Sequence, residues 1–258
     1  MRPDLATPVT PSAPRTARIA ATAVRETARE LPAVPRTAAG VPRMPLAVRD
    51  TLGPGLLATA REALAAAGTG DAGPLGCVTA FHHATAATSA YIAEVLDRHG
   101  PRWLAPECFL HYSAHSLTGL LCIGLGLAGT AVTLTGPAGG VDALGYAAAL
   151  IAAGRCGQVL VAAAHWPPPA DPAATGPVPL RTAAVVLAGT GGRGEVTGWR
   201  PGGAHPAVRE ETDGGGAERG DPGEALTALT DWHRRGAGAP LELTGGGSRL
   251  LLRPGGTG

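Results

Sequence analysis

Apolar residues follow two alternating patterns along the chain, and this alternation predicts a mixed α/β fold. In one pattern they recur at the spacing of a helix face, as at Leu56, Ala60 and Leu64. In the other they form short unbroken runs rich in β-branched residues, as in residues 130–135 and 158–164, which is typical of buried strands. Segments with the two patterns alternate along the sequence, as they do in proteins where helices pack on a sheet.

Turn residues divide these runs into separate elements. Predicted strands are 18–24, 75–81, 130–135, 158–164, 180–188, 195–199, 241–243 and 249–252, and predicted helices are 54–67, 87–99, 116–127, 141–153 and 225–235. We expect 25–45 to be a surface loop, 195–199 to pair beside 180–188, and 189–194 (GTGGRG) to be a surface hairpin. The last two strands, joined by glycines, are expected to form a second hairpin.

Residues 130–165 carry the strongest signal, because a strand, a sharp turn, a helix and a second strand follow one another there. The turn is GPAGG, and Gly154 is placed to end the helix. Many enzymes hold a nucleophile at such a strand-to-helix turn, since the N-terminus of a helix favours negative charge. This turn contains no Ser, Cys or His. The geometry of an active site is therefore predicted without its nucleophile.

The run LTGPAGGVDALGYAAALIAAG, followed by VLVAAA, resembles the nucleophile elbow and following helix of β-ketoacyl synthases, which have the thiolase fold. The segment 138–145, AGGVDALG, is more similar to the chain length factor, the non-condensing partner of a ketosynthase in type II polyketide systems. The likeness covers residues 46–188. It implies that Pro137 stands where a ketosynthase carries its acyl-accepting cysteine. Pro cannot act as a nucleophile and has no backbone N–H to donate, so no catalytic residue is expected.

The resemblance also implies how such a chain works. It would form a heterodimer with a catalytic ketosynthase, pair strand 130–135 antiparallel across the interface, and bound a tunnel for acyl chains delivered by an acyl carrier protein. A short chain of this kind resembles the partners of polyene-forming synthases, which implies a polyene or unsaturated acyl product. The residues expected at the tunnel or interface are Phe109, Tyr112, His115, Ser116, Leu117, Leu121, Thr133, Thr135 and Pro137. Plain core packing is the alternative explanation for the apolar helix that contains several of them.

The expected fold is a thiolase-like layered fold, mainly the first βαβ half with a truncated second half. We expect a disordered lead over 1–17, a ketosynthase-like domain over 18–200, a Gly-rich flexible loop over 201–223, and a helix and hairpin over 224–258 that complete the domain. Ketosynthases take two catalytic histidines from their second half. His205 and His233 lack the sequence context of those histidines.

The amino-acid composition limits the classes of partner and cofactor that we expect this chain to bind. The net charge of +1 gives no reason to expect nucleic acid or an anionic membrane. Four scattered cysteines favour neither a disulfide framework nor zinc, and they suit a reducing cytoplasm. No signal peptide or long apolar run is visible. The pair His82 and His83 lacks a third ligand at a recognised spacing, and GTGGRG lacks the Lys of a phosphate-binding loop, so neither a metal nor a cofactor is expected.

Two rival functions stay open. The chain could be an acyltransferase or thioesterase of thiolase fold that uses Cys108, which we expect on a more exposed lead-in, or a histidine. It could also be a purely structural module that stabilises a synthase without touching substrate.

Overall fold

One mixed sheet organises the part of the chain that the computed structural model describes, which is residues 16–30, 38, 40, 47–68, 74–82, 86–136, 138–165, 177–202 and 221–255. Its strands are β1 (Arg18–Glu30), β2 (Leu75–Phe81), β3 (Ala131–Thr135), β4 (Gln158–His165), β5 (Pro177–Ala188), β6 (Arg193–Arg200), β7 (Leu241–Gly245) and β8 (Ser248–Arg253). The helices are α1 (Ala47–Ala67), α2 (Ala86–Arg98), α3 (Cys108–Tyr112), α4 (His115–Leu125), α5 (Gly139–Ala152) and α6 (Pro222–Arg234).

The eight strands lie in the order β3-β2-β4-β5-β1-β6-β8-β7. Strand β2 is parallel to β3 and to β4, whereas β5 runs antiparallel to its neighbours β4 and β1. Strands β7 and β8 form the predicted hairpin, and Gly246 and Gly247 at its turn have φ of 52° and 83°. Positive φ at both positions is what a two-residue hairpin turn of this kind requires.

The central strands β2, β4 and β5 are buried on both faces. In β4, Val159, Val161 and Ala163 point to one face, and the intervening residues point to the other. The first face packs against α5 and α6, and the second packs against α1 and α4. This double burial explains why these strands appear in the sequence as nearly continuous apolar runs.

Helix α5 is the most enclosed helix of the fold. It contacts β2 and β4 on one side and β6, β7 and β8 on the other, so the sheet bends around α5 and its neighbour α6. Small residues make this possible. A Cβ on Gly145 would lie 2.2 Å from the ring of Trp199, and one on Gly140 would lie 2.0 Å from the carbonyl oxygen of Pro222.

Three of the predictions about the sheet were wrong. Strand β1 continues to Glu30 instead of ending before a loop, because β5 pairs with it along its whole length. The charged residues that suggested a loop are at its exposed end, where Arg25 Nη2 donates to Glu62 Oε2 at 2.8 Å. Strand β6 does not pair with β5, since β1 lies between them. Residues 189–194 therefore cross the end of β1 and do not form a hairpin.

Helix α1 also differs from the prediction, because it begins at Ala47 and Pro54 lies inside it. Pro54 is exposed, and the following turns bury Leu56 and Ala60 against the sheet. The spacing of the apolar residues predicted the buried face of α1 correctly. The prediction that the helix begins at Pro54 was wrong.

Replacing Gly140 with alanine is expected to destabilise the fold, although alanine is ordinarily the better helix former by about 1 kcal/mol. The added Cβ would meet the backbone oxygen of Pro222 at 2.0 Å, so α5 and α6 would have to move apart. We expect a loss of about 2 kcal/mol in the free energy of unfolding, measured by urea denaturation.

The matched control is Gly119→Ala in α4, where a Cβ would meet nothing within 4 Å. That variant should be as stable as the wild type or more so. Equal stability of the two variants would contradict the packing described here.

Candidate functional site

The strand-to-helix turn lies at the carboxyl edge of the parallel strands. Thr135, the last residue of β3, pairs in register with Phe81 of β2, and Phe81 pairs with Ala164 of β4. Gly136 follows with φ of 107°, and its N–H donates to the carbonyl oxygen of Phe81 at 3.2 Å. The N–H of Gly139 then donates to the carbonyl oxygen of Gly136 at 3.0 Å, which begins α5. Ligands of open α/β sheets bind at this edge.

Pro137, the residue that the resemblance places at the nucleophile position, lies outside the described residues. The segment after it has a structural explanation. Gly139 and Gly140 permit the close approach of β2 and α6, and Asp142 Oδ1 accepts a hydrogen bond from Trp199 Nε1 at 3.2 Å. The AGGVDALG run therefore fixes α5 against α6 and β6.

Cys108 was expected on an exposed lead-in, and this expectation was wrong. Its side chain is completely buried in a small cluster with Tyr91 and Val95. Burial, reinforced by the neighbouring carboxylate of Glu107, raises the pKa of the Cys108 thiol. A buried thiol of raised pKa is a poor nucleophile, because the thiolate is the reactive form.

The other cysteines are no better placed for chemistry. Burial, together with the nearby thiol of Cys122, raises the pKa of Cys77 in β2. Cys156 is also buried, and Cys122 is half-buried in α4. None of the four lies at the turn, so the structure brings no thiol to the position where a ketosynthase would need one.

The predicted aromatic lead-in forms an exposed apolar surface beside β3. Phe109 and Tyr112 on α3 expose 69% and 54% of their surface, and Ile123 on α4 exposes 87%. Leu117 and Leu121, also predicted at the tunnel or interface, expose only 2% and 0%. They pack into the core between α4, α1 and the sheet. This burial places them behind the surface and not on it.

A chain of hydroxyl groups connects this surface to the core. His115 Nδ1 is 2.8 Å from Thr133 Oγ1, which is 2.5 Å from Thr118 Oγ1, which in turn is 2.6 Å from Thr79 Oγ1. His115 is exposed, whereas Thr118 and Thr79 are fully buried. These hydrogen bonds hold α4 against β3 and β2, because each buried hydroxyl group needs a hydrogen-bond partner. Ser116 is half-buried on the same helix, and Thr135 is exposed at the end of β3.

Sequence reasoning missed a second group of polar side chains at the same edge of the sheet. His165 ends β4, and Asp221 precedes α6; together with Glu26 and Arg181 they line a groove of about 470 Å³. The predicted strand 158–164 ended one residue before His165, and Asp221 was assigned to a flexible loop. Sequence alone gave no sign that residues so far apart meet.

Of the histidine pair noted in the sequence, the structure describes only one residue. His82 follows β2 and is described, while His83 lies outside the described residues. Within the described ranges, no group of three or more His, Cys, Asp or Glu side chains could hold a metal ion. The same ranges contain no helix of the length and hydrophobicity that a membrane span requires.

Comparison with solved structures defines the fold. The chain is similar to a chain of the complex between the ketosynthase ApeO and its chain length factor ApeC from Xenorhabdus doucetiae, with a TM-score of 0.52 and 15% identity. The match covers 81% of this chain and 80% of that one. The fold is therefore α/β and thiolase-like, as the resemblance implied.

Two other structures give weaker matches of the same kind. The ishigamide ketosynthase/chain length factor has a TM-score of 0.46 and 17% identity over 70% of this chain and 65% of that one. A chain of the type II polyketide synthase complex AntDE:AntF, an acyl-carrier protein with its ketosynthase, has a TM-score of 0.47 and 14% identity over 72% of this chain and 69% of that one. No family model and no curated protein matches the chain.

Removing the hydroxyl group of Thr118 from the hydrogen-bonded row that joins His115 to Thr79 is expected to destabilise the fold. Thr118→Val keeps the shape of the side chain but deprives Thr79 and Thr133 of their 2.6 and 2.5 Å partner. We expect a loss of about 1–3 kcal/mol in the free energy of unfolding, because two buried or half-buried hydroxyls lose a bond. Thr135→Val, at an exposed position of β3, is the control and should stay within about 0.5 kcal/mol of the wild type. A stability loss at both positions would argue against a specific role for the hydroxyl chain.

Proposed function

We propose that the chain is the chain-length-determining partner of a type II polyketide ketosynthase, is non-catalytic in condensation, and bounds the acyl tunnel at a heterodimer interface. The observation that carries this proposal is a ketosynthase-like turn, correctly placed at the carboxyl edge of the sheet, with no nucleophilic side chain in it. Exposed apolar side chains lie on α3 and α4, and α4 packs against β3, the strand that leads into that turn.

The lack of condensing chemistry follows from what condensation requires. A ketosynthase holds the growing acyl chain as a thioester on a thiolate and stabilises the oxyanion with backbone N–H groups. Residue 137 of this chain is a proline, which supplies neither sulfur nor N–H. Cys108 and Cys77 have raised thiol pKa values and are buried, so they do not replace the missing group.

The proposed interface combines β3 with α3 and α4. Strand β3 is at one end of the order of the described strands, and the strand that pairs with it there is the parallel strand β2. An edge strand with free backbone groups can extend a sheet into a second subunit, where antiparallel pairing is expected. The exposed side chains of Phe109, Tyr112 and Ile123 would add apolar area of the kind found at the centre of stable interfaces.

The proposed tunnel boundary lies on the same surface. Phe109, Tyr112, His115, Ser116 and Thr135 offer exposed or half-exposed side chains there, and Thr133 contacts His115. Pro137 would lie where these elements meet the turn. In this proposal Leu117 and Leu121 support the surface from behind, since both are buried. The acyl chain would arrive on an acyl carrier protein, and its growth would stop where bulky side chains fill the tunnel.

The product proposed from the sequence is a polyene or unsaturated acyl chain. The chain is similar to a chain of the complex between a ketosynthase and its chain length factor from Xenorhabdus doucetiae, and the two chains are of comparable length, since the match covers 81% of this chain and 80% of that one. This support concerns the kind of complex, and the product itself is a proposal from the sequence.

The two rivals have less support. An acyltransferase or thioesterase that uses Cys108 would need that thiol to be accessible, and it is buried. The form of this rival that uses a histidine would be an enzyme on its own, without a ketosynthase partner, so complex formation separates it from the present proposal. A structural module would use the same exposed surface but would not influence the product, so product length separates it from the present proposal.

Co-expression with a ketosynthase encoded beside it is expected to give a one-to-one complex that co-purifies. Ile123→Glu should weaken this complex at least tenfold, about 1.4 kcal/mol, because a charge would replace an apolar side chain that is 87% exposed. The dissociation constant can be measured by surface plasmon resonance. The control is Tyr146→Glu on α5, an exposed aromatic residue outside the proposed surface, which should bind normally. Equal binding by both variants would place the interface elsewhere.

Ser116→Trp is expected to shorten the polyketide made by the complex, because added bulk at the half-buried surface of α4 would close the tunnel earlier. Product length is measured by mass spectrometry of the acyl chains released from the carrier protein. Leu117 is unsuitable for this test, because a larger residue there would disrupt the core. Ala66→Trp, at an exposed position of α1, is the control. Unchanged product length at a normal rate would favour the structural module.

A further inference from the structure

The groove lined by Glu26, His165, Arg181 and Asp221 is the strongest feature that the proposed function does not use. Its volume is about 470 Å³, and its walls come from the ends of β1 and β4, the start of β5 and the residue before α6. A groove of this size, with a few convergent polar groups, is large enough for a small organic molecule.

Asp221 is held in a fixed position in this groove. Its Oδ1 accepts from the N–H of Gly223 at 2.6 Å and caps the N-terminus of α6. Its Oδ2 accepts from Arg181 Nη1 at 2.9 Å, while Arg181 Nε donates to Glu26 Oε1 at 2.6 Å. A carboxylate with these partners keeps one orientation and can orient a neighbouring group.

His165 is the group that Asp221 faces. Its Nδ1 lies 3.4 Å from Asp221 Oδ1, is buried, and has no hydrogen-bond partner among the residues that the structure describes. Because Nδ1 is on the side of Asp221, Nε2 is the nitrogen left for a molecule in the groove. Burial lowers the pKa of His165, Arg181 and His82 lower it further, and Asp221 opposes them. The imidazole is therefore neutral at pH 7 and able to accept a proton.

The pair lies close to the strand-to-helix turn. Thr135, Phe81 and Ala164 form one row across three strands, so His165 is about 10 Å from the end of β3, which is two strand spacings. On the other side, Asp221 precedes Pro222, whose carbonyl oxygen covers Gly140 at the start of α5. The groove and the turn thus share the carboxyl edge of the sheet.

We propose that His165 and Asp221 form a proton-transfer pair that activates water to hydrolyse an acyl thioester bound in this groove. The substrate class, a thioester, rests on the proposed function, since an acyl chain on a carrier is the molecule expected at this edge. Water requires no nucleophile from the chain, which is consistent with the composition of the turn.

The reaction balances as an ordinary hydrolysis. His165 Nε2 takes a proton from water as the water oxygen bonds to the thioester carbonyl carbon, and Asp221 stabilises the imidazolium that forms. The carbon–sulfur bond then breaks, and the thiolate takes the proton from His165. The products are a carboxylic acid and a free thiol.

The test is hydrolysis of hexanoyl-N-acetylcysteamine by the purified full-length chain, followed as hexanoic acid by chromatography. His165→Asn should lower the rate by about 100-fold, because the general base is lost while an amide nitrogen remains near the position of Nδ1. His233→Asn is the matched control, since His233 is another histidine with a buried, unpartnered Nδ1, and it should leave the rate unchanged.

The pH dependence distinguishes a proton-transfer role from a structural one. The wild-type rate should rise with pH to a plateau, with a midpoint below the ordinary histidine value of about 6.5. Asp221→Asn keeps the helix cap, because Asn caps as well as Asp, but it removes the charge that favours imidazolium. We expect this variant to be slower and its midpoint to fall.

Two results would overturn the proposal. The first is a wild-type rate of hydrolysis equal to the rate in buffer alone. The second is a His165→Asn variant that hydrolyses the thioester as fast as the wild type and has a normal circular dichroism spectrum and melting temperature. Should His165→Asn not fold, His165→Gln takes its place in the same measurement. Complex formation with the ketosynthase is measured on the same variants. The loss of one property without the other shows which proposal has failed.

Discussion

The close packing of α5 against α6 and both parts of the sheet is the constraint on which the rest of the structure depends. A helix enclosed on two sides cannot carry bulky side chains at every contact, and Gly140 and Gly145 are the positions where a single methyl group would collide with Pro222 and Trp199. Because interiors are packed as tightly as crystals, such contacts do not tolerate extra volume. The same contacts fix the turn at the start of α5, since Gly139 and Gly140 follow the turn directly and also pack against β2 and α6.

The turn has the backbone geometry of a reactive site, but its sequence contains no nucleophilic side chain. In the proposed function, the enclosed helix presents its N-terminus at the carboxyl edge of the sheet as in a ketosynthase, while the catalytic sulfur belongs to the partner subunit. The structure also gives that edge a pair of acid–base groups on the far side of β2. His165 and Asp221 come from β4 and from the residue before α6, so the fold itself brings them together.

Much of the fold was predictable from sequence, for a physical reason. Strand β2 was predicted with its observed bounds, Leu75–Phe81, because it is buried on both faces and its residues are almost all apolar. The course of α5 was also clear, since Gly154, with φ of 68°, ends it as expected. By contrast, the charged end of β1 resembled a loop, because the partner strand that pairs with it is distant in sequence.

The candidate site was only partly predictable. The missing nucleophile is a local property of five residues and could be read directly from the sequence. The burial of Cys108, Leu117 and Leu121 depends on which helix face meets which neighbour, and the apolar composition of α3 and α4 does not specify that. His165 and Asp221 were missed because nothing in either local sequence indicates that they meet.

The row of hydroxyls from His115 to Thr79 has two possible directions of donation. A threonine hydroxyl has one proton, so each member that donates to the next must accept from the one before. If Nδ1 of His115 accepts from Thr133, every proton along the row points outward, towards the surface. In the opposite direction Nδ1 of His115 donates to Thr133, each hydroxyl donates inward, and Thr79 donates to the carbonyl oxygen of Val132 at 3.5 Å. The tautomer of an exposed imidazole is thus linked, through three hydroxyl groups, to the orientation of a proton on the buried strand β2.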